Sequence, residues 1–400
     1  LILGKTSSHD NEHDNRYTRS AAEFRLWTEQ GVLQRDAAPS IYLYDQIYPN
    51  ENGEMMVRKG FIALARLEDF SSGVVKPHEK TLAGPKADRL LLTRACGANF
   101  SPIFSLYSDP CCVLESLTRK AKEQPPEVEV ADDDGVIHRL WQVTDRNIIA
   151  KAQGLLDNKP LFIADGHHRY ETAINYRDEM RVRHPNFTGK ETFNFVLMYF
   201  ANMEDQGMLI FPTHRLVHGL GKVHPGSLVS ELDPYFEVEE KRFDPHSSEQ
   251  RQAIREALRK KGEKRHALAL YAGGDRAWLL TLRDDKSMDR FFDPKAPKAL
   301  RTLDVSILHR LILEEILKIT PEAQEQQTNL KYVKSFDEAF ERVQAGEAQL
   351  AFLMNPTRMN EVRDVANAGE KMPQKSTYFY PKLYTGLVIN RIVEGEMVTE

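Results

Sequence analysis

The stretch Leu161-Phe162-Ile163-Ala164-Asp165-Gly166-His167-His168-Arg169-Tyr170-Glu171-Thr172-Ala173 does most to limit what this chain can fold into. An apolar run with the length of a buried strand stops at Asp165-Gly166. Helical spacing then begins at once through His168, Arg169, Thr172, Ala173 and Tyr176. The pattern predicts strand, tight turn and helix. Such a turn aims the free N–H groups of the helix start, and the positive end of its dipole, at whatever lies in front, which makes it an anion site. Asp165 is expected to cap the helix, Gly166 to let a ligand approach the backbone, and Arg169 to clamp phosphate oxygens in a bidentate way. His167 and His168 are poor joint metal ligands, because adjacent helical side chains diverge by about 100°, and no His-Glu-x-x-His motif is present. Asp165, His168 or Glu171 would be the contact for a phosphate-bound Mg²⁺, which takes one or two carboxylates and keeps several waters.

Around this turn the chain mixes hairpins with helices. A helix is expected over 20–31, followed by strands at 40–48 and 55–67 joined through Asn52-Gly53. A helix near 86–95 and a strand within 102–107 come next, and Cys111-Cys112 opens another helix. A second hairpin, 127–131 with 136–143, flanks Asp134-Gly135, and a helix over 145–156 leads into the turn. This order predicts an α+β fold with mixed sheets rather than a doubly wound parallel one. The first domain is placed at 1–190. A second α+β domain, 191–400, is read with 192–200 and 208–211 as paired strands and a helix at 248–261. Strands at 267–271 and 277–282, a helix at 304–317, a helix at 336–345 capped by Ser335, a strand at 349–354 and an aromatic strand at 378–380 complete it.

Composition removes several functions. Lys and Arg number 54 against 59 Asp and Glu, for a net charge of -5, and the basic residues are spread evenly, so no electrostatic footprint for nucleic acid exists. Three cysteines cannot frame a chain of 400 residues with disulfides, which suggests a cytoplasmic setting. No apolar run approaches the ~20 residues of a membrane span, and no signal peptide is recognisable. Gly-x-x-x-x-Gly-Lys-Ser/Thr, Gly-x-Gly-x-x-Gly and Gly-x-Ser-x-Gly are all missing, which argues against Walker-type ATPases, common dinucleotide enzymes and α/β-hydrolases. His9 and His13, among Asp10, Glu12 and Asp14, read as a solvated loop. The start Leu1-Ile2-Leu3-Gly4 resembles the tail of a strand, so an N-terminal truncation is expected. Three other segments stay open between a bland reading and a site: the loop residues His78-Glu79, His214-Arg215 at the end of a strand, and Lys375-Ser376-Thr377 in a polar turn.

Three separated motifs carry a resemblance. They are Lys76-Pro77-His78-Glu79-Lys80-Thr81 with Asp88-Arg89, then Ile163-Ala164-Asp165-Gly166-His167-His168-Arg169, then Met372-Pro373-Gln374-Lys375-Ser376-Thr377. In this order, over about residues 21–387, they resemble the family named domain of unknown function 1015. The turn itself is similar to the phosphate-binding turn of the ParB/sulfiredoxin superfamily, where a Gly-x-x-Arg segment at a helix start holds nucleotide phosphates. That superfamily includes free-serine kinases, a nucleotide-hydrolysing DNA-segregation protein and a sulfinic acid reductase. The resemblance implies phosphate contacts from Gly166, His167, His168 and Arg169. His167 stands where sulfiredoxins have cysteine, which argues against sulfinic chemistry, and the family's Pro-Pro-Tyr-Asp motif does not occur here. The expected function is a phosphotransferase that uses ATP or ADP with Mg²⁺ on a small hydroxyl metabolite, free serine first. Glu79, Asp165 and His168 would be catalytic, with His78, Lys375, Ser376 and Thr377 adding to the phosphate site. The alternative is a non-catalytic nucleotide-binding regulator. Neither nucleic acid nor membrane is expected as a partner.

Overall fold

The computed structural model describes residues 1–2, 4–50, 53–79 and 83–398, the side chains of 83–85 excepted. The expected turn residue Asn52 and the motif residues Lys80 and Thr81 lie outside the described residues. The chain divides into two compact units. Leu1–Pro77, Thr81–Leu209 and Pro381–Glu400 make the first, and His78–Lys80 with Ile210–Tyr380 the second.

Among the described residues, the first unit is built on an eight-stranded sheet. Its order is Val75–Lys76, Leu161–Asp165, Ile103–Tyr107, Phe195–Asn202, Met55–Arg66, Ile41–Pro49, Ile137–Val143 and Val128–Ala131. The first two strands run parallel, as do Ile103–Tyr107 and Phe195–Asn202, while both expected hairpins are antiparallel. The fold is therefore mixed α+β, as the alternation of hairpins and helices predicts.

The pleat sorts side chains into two faces. Leu43 pairs with Phe61 and with Trp141, and on the same apolar face Ile103, Ile163, Met198 and Phe200 pack against Leu114, Ala152, Tyr170 and Ala173 of the covering helices. The opposite face is buried yet polar, with Tyr44, Gln46, Tyr48, Arg58, His138 and Tyr199. Gly60 is needed there, because a Cβ would come within 2.5 Å of the Tyr199 ring and closer still to the Phe200 carbonyl oxygen.

Phe195–Asn202 sits inside this sheet, bonded to Met55–Arg66 on one side and Ile103–Tyr107 on the other. The first compact unit accordingly continues through Leu209, past the boundary expected near 190. With both its edges taken, that strand has no room for 208–211 as the expected neighbour. Leu209–Phe211 pairs with Tyr378–Tyr380 instead, where the Phe211 and Tyr380 rings lie 4.8 Å apart, an aromatic cross-strand contact.

The second unit carries a six-stranded sheet in the order Phe236–Arg242, Arg276–Leu282, Ala267–Tyr271, Leu350–Met354, His214–Val217 and Leu330–Val333. Its bonded pairs are antiparallel. The helices Ser248–Gly262 and Phe336–Gln344 cover one face, setting Ile254, Leu258, Phe336 and Phe340 against Leu216, Ala269, Tyr271, Leu279 and Leu353. Ser335 caps the second of these as expected, and Ser247 the first. The helix expected over 304–317 is α only for Asp304–Ile307 and widens to a π-helix over Leu308–Ile316, which a 3.6-residue pattern does not encode. His214 and Arg215 open the strand His214–Val217 rather than closing one, and both are buried. Among the described residues no helix is long and apolar enough to cross a membrane.

Candidate functional site

The strand Leu161–Asp165 ends as expected in a left-handed Gly166, φ 96°, from which the 17-residue helix His167–Arg183 starts. The helix is anchored by Tyr170, whose hydroxyl donates to the Glu68 carbonyl at 2.8 Å and accepts from the Glu68 N–H at 3.0 Å. Its cap residue, Gly166, has no side chain to bond back to the first turn, in contrast to the helices begun by Asn15, Asp145 and Ser247. The expected cap, Asp165, does something else. Gly166 occupies the cap position, and Asp165, one residue earlier, receives the Arg169 Nη2 on Oδ2 and the Lys382 Nζ on Oδ1, each at 2.7 Å. Arg169 also donates from Nη1 to the Pro102 carbonyl at 2.6 Å. Glycine is required at 166 for two reasons: its positive φ, and the Arg169 guanidinium lying across it, 2.8 Å from where a Cβ would stand.

The charges at the turn are coupled. Burial pushes the Asp165 carboxyl up, but Lys382 and Arg169 outweigh it and hold the group well below the usual carboxylate range. The side chain nevertheless remains 36% exposed, so the recess is open to water. Burial also lowers the Arg169 guanidinium, against the pull of Asp165, and Arg89 adds to the lowering. Two cations thus share one carboxylate, and a third lies near. That balance suits an anion. It is unfavourable to Asp165 as a magnesium ligand, since a divalent ion would compete with both cations for its oxygens, and among the described residues no group of three or more His, Cys, Asp and Glu is placed to hold a metal by itself. The adjacent histidines differ: the His167 side chain is buried, whereas His168 is half-buried.

Lys382 is the residue that sequence reasoning missed. It belongs to the returning segment Pro381–Glu400 of the first unit, which crosses the polar face of the sheet. Arg58 donates to the Pro381 carbonyl at 2.6 Å, Gln46 to the Lys382 carbonyl at 2.9 Å, and the Tyr384 N–H donates to the Tyr44 hydroxyl at 3.1 Å. Behind them, the Tyr44 hydroxyl meets His138 Nδ1 at 2.7 Å and His138 Nε2 meets Asp132 at 3.0 Å. Burial lowers the His138 imidazole, with Asp132 opposing. The one available signal was Gln46 and Arg58 on strands at positions whose phase is buried, a local conflict of the kind that marks a functional or strained place.

The other expected residues form a second group inside the second unit. His78 is buried, with Nε2 2.9 Å from the Thr377 hydroxyl. Its carbonyl accepts from the Met372 N–H at 2.7 Å, and the Glu79 carboxylate accepts from the Lys375 N–H at 2.7 Å. Lys375 is exposed and left-handed, φ 56°. Ser376 donates to the Pro373 carbonyl at 2.5 Å, and Arg215 donates to the Lys375 carbonyl at 3.0 Å. The motifs around 78 and 375 therefore meet, but many of their donors and acceptors serve one another. Arg215 lies fully buried beneath this loop, pushed down to about 10 by that burial.

No curated protein shows a significant match to the chain. Among solved structures, similar chains include a conserved hypothetical protein from Pyrococcus furiosus, 14% identical, covering 83% of this chain and 95% of that one at a TM-score of 0.38. A free serine kinase variant in complex with AMP is 13% identical over 80% of this chain and 87% of its own, TM-score 0.38. Another variant of a free serine kinase, in complex with ADP, is 12% identical over 86% and 91%, TM-score 0.38. The family model described as protein of unknown function (DUF1015) matches residues 1–306, and the chain belongs to that family.

Proposed function

We propose that the turn from Asp165 to Arg169, read as one of ParB/sulfiredoxin type, holds the phosphates of a nucleoside di- or triphosphate. On this reading the protein is an ATP- or ADP-dependent phosphotransferase for a small hydroxyl metabolite, free serine being the best single choice, in a cytoplasmic setting. The carrying observation is the helix start at His167, which follows a left-handed glycine at the cap position while a guanidinium and an ammonium flank it. The N–H groups of a helix start and fixed cations stabilise the charge that a transferring phosphoryl group spreads over its oxygens. The His167 and His168 amides and the Arg169 side chain would bind those oxygens, with Gly166 leaving the approach open. Magnesium would enter on the nucleotide's own oxygens. Glu79, His168 and the second group, His78 with Lys375, Ser376 and Thr377, keep the roles expected of them only as part of this proposal.

One observation favours the rival reading, a nucleotide-binding regulator without turnover. Asp165 is held as an anion by two cations, which makes it a weak proton acceptor. Calorimetry with ADP, ATP, CTP and GTP, then a phosphoryl-transfer assay against serine and related hydroxyl metabolites, decides. If no nucleotide binds, or if Arg169→Ala binds as tightly as the parent, the phosphate reading fails. Binding without turnover of any substrate selects the regulator.

A further inference from the structure

We infer that Lys382 is a phosphate-binding residue of the turn, carried there on a strip of backbone that buried side chains of the sheet hold in place. This rests on the phosphate reading above and adds a residue more than two hundred positions from the motif. A surface lysine ordinarily keeps its rotamer freedom, worth up to about 2 kcal/mol, and a lone surface ion pair rarely repays fixing it. Here the backbone on both sides of Lys382 is fixed first. Arg58 and Gln46 are buried, and each donates to one of two successive carbonyls, Pro381 and Lys382, while the buried Tyr44 hydroxyl receives the Tyr384 N–H. Burying an arginine and a glutamine under a strand of chain is unfavourable unless their bonds are made. The sheet therefore depends on this strip, and the strip delivers an ammonium to Asp165 Oδ1 at 2.7 Å, beside Gly166.

The arrangement around Asp165 explains how the ammonium can serve a ligand. The two carboxylate oxygens are divided, one to Arg169 and one to Lys382, so Asp165 keeps both cations on the turn when no ligand is there. An ammonium carries three rotatable donors, so it can be shared between Asp165 and an arriving ligand oxygen. With the Lys382 side chain 43% exposed, an arriving phosphate oxygen can reach it while the bond to Asp165 persists. The chemical class follows: a ligand with at least two phosphate groups, one for the helix start and Arg169, the other for the ammonium.

The test is calorimetry on the full chain with ADP and with inorganic pyrophosphate, alongside the thermal midpoint without ligand. Lys382→Gln is expected to weaken both ligands about tenfold, with the midpoint nearly unchanged, and Lys382→Arg to restore most of the affinity. If Lys382→Gln binds ADP as tightly as the parent while Arg169→Ala does not, Lys382 has no such role and the phosphate reading stands. A loss of affinity that comes with an equal loss of fold stability also overturns the inference, since the lysine then only supports the fold. If the parent chain binds neither probe, the phosphate reading falls first.

Discussion

Replacing Gly166 with alanine tests the turn at its tightest point. Two effects add. At φ 96° an L-residue is strained, by roughly 1–2 kcal/mol on the scale of the left-handed region. The new Cβ would also lie 2.8 Å from Arg169 Nε and Nη2. A guanidinium can swing aside, so the steric clash itself is cheap, but swinging aside breaks its bonds to Asp165 at 2.7 Å and to the Pro102 carbonyl at 2.6 Å. Buried, two such charged bonds would contribute about 1.5–3 kcal/mol each. With Arg169 27% and Asp165 36% exposed, about 1 kcal/mol each is the better figure. The expected loss is therefore about 3–4 kcal/mol for the first unit, with ADP affinity falling at least tenfold. Urea unfolding followed by fluorescence in a Trp278→Phe background isolates that unit, because Trp27 and Trp141 both belong to it and Trp278 does not. A loss below about 1 kcal/mol, or unchanged ADP affinity, would refute the account of why glycine stands there.

Asp165→Asn leaves Arg169 and Lys382 without their shared anion, and should lower stability by about 1–2 kcal/mol after allowing for exposure. Because the native carboxyl lies below its ordinary 3.8, its contribution is complete above that value and lost as pH falls through the lower native value. The variant should lose that part of the acid dependence, measurable by urea titration from pH 5 downward. In the second unit, burial pushes His214 and His309 each down to about 3, with Arg215 nearby adding to it. Between about 6.5 and 3 the unfolded chain takes up protons that the folded unit refuses, so stability should fall on acidification by up to ~1.4 kcal/mol per pH unit for each histidine. A flat profile over that range would contradict their burial as neutral rings. Gly60→Ala should destabilise by about 3 kcal/mol or more, since the Tyr199 ring and the Phe200 carbonyl leave no room. A thermal midpoint equal to the parent's would show that the sheet can shift there at little cost.

Local signals in the sequence carry the turns and caps. Asp134-Gly135 marked its hairpin, Ser335 its helix, and Asp165-Gly166 the change from strand to helix, because each depends on the φ preference or donor chemistry of one or two residues. What could not be read was the choice among partners. Asp165 is a good cap by type, yet Arg169 four residues on and Lys382, 217 residues away, claim its oxygens. The aromatic strand Tyr378–Tyr380 took the segment expected beside Phe195–Asn202, a pairing settled by ring contacts rather than by any local pattern. His78 and Glu79 were recognisable as able to bind or exchange protons. Only the packing showed one buried against Thr377 and the other accepting from Lys375. Gln46 and Arg58 passed unnoticed because their acceptors, the carbonyls of 381 and 382, lie far off in sequence.

The first unit is discontinuous, closed by residues that follow the whole second unit. On a ribosome adding roughly 5–20 residues each second, some 170 residues must emerge between Leu209 and Pro381, a wait of about ten to thirty seconds. Throughout that interval Arg58, Gln46 and Tyr44 face a sheet whose covering strip has not been made. The nascent sheet would present a wet, polar seam instead of a greasy one, which discourages it from sticking to its neighbours while it waits. On that view the polar face would serve before the turn ever meets a ligand, by helping to keep an unfinished unit from associating until its last strip arrives.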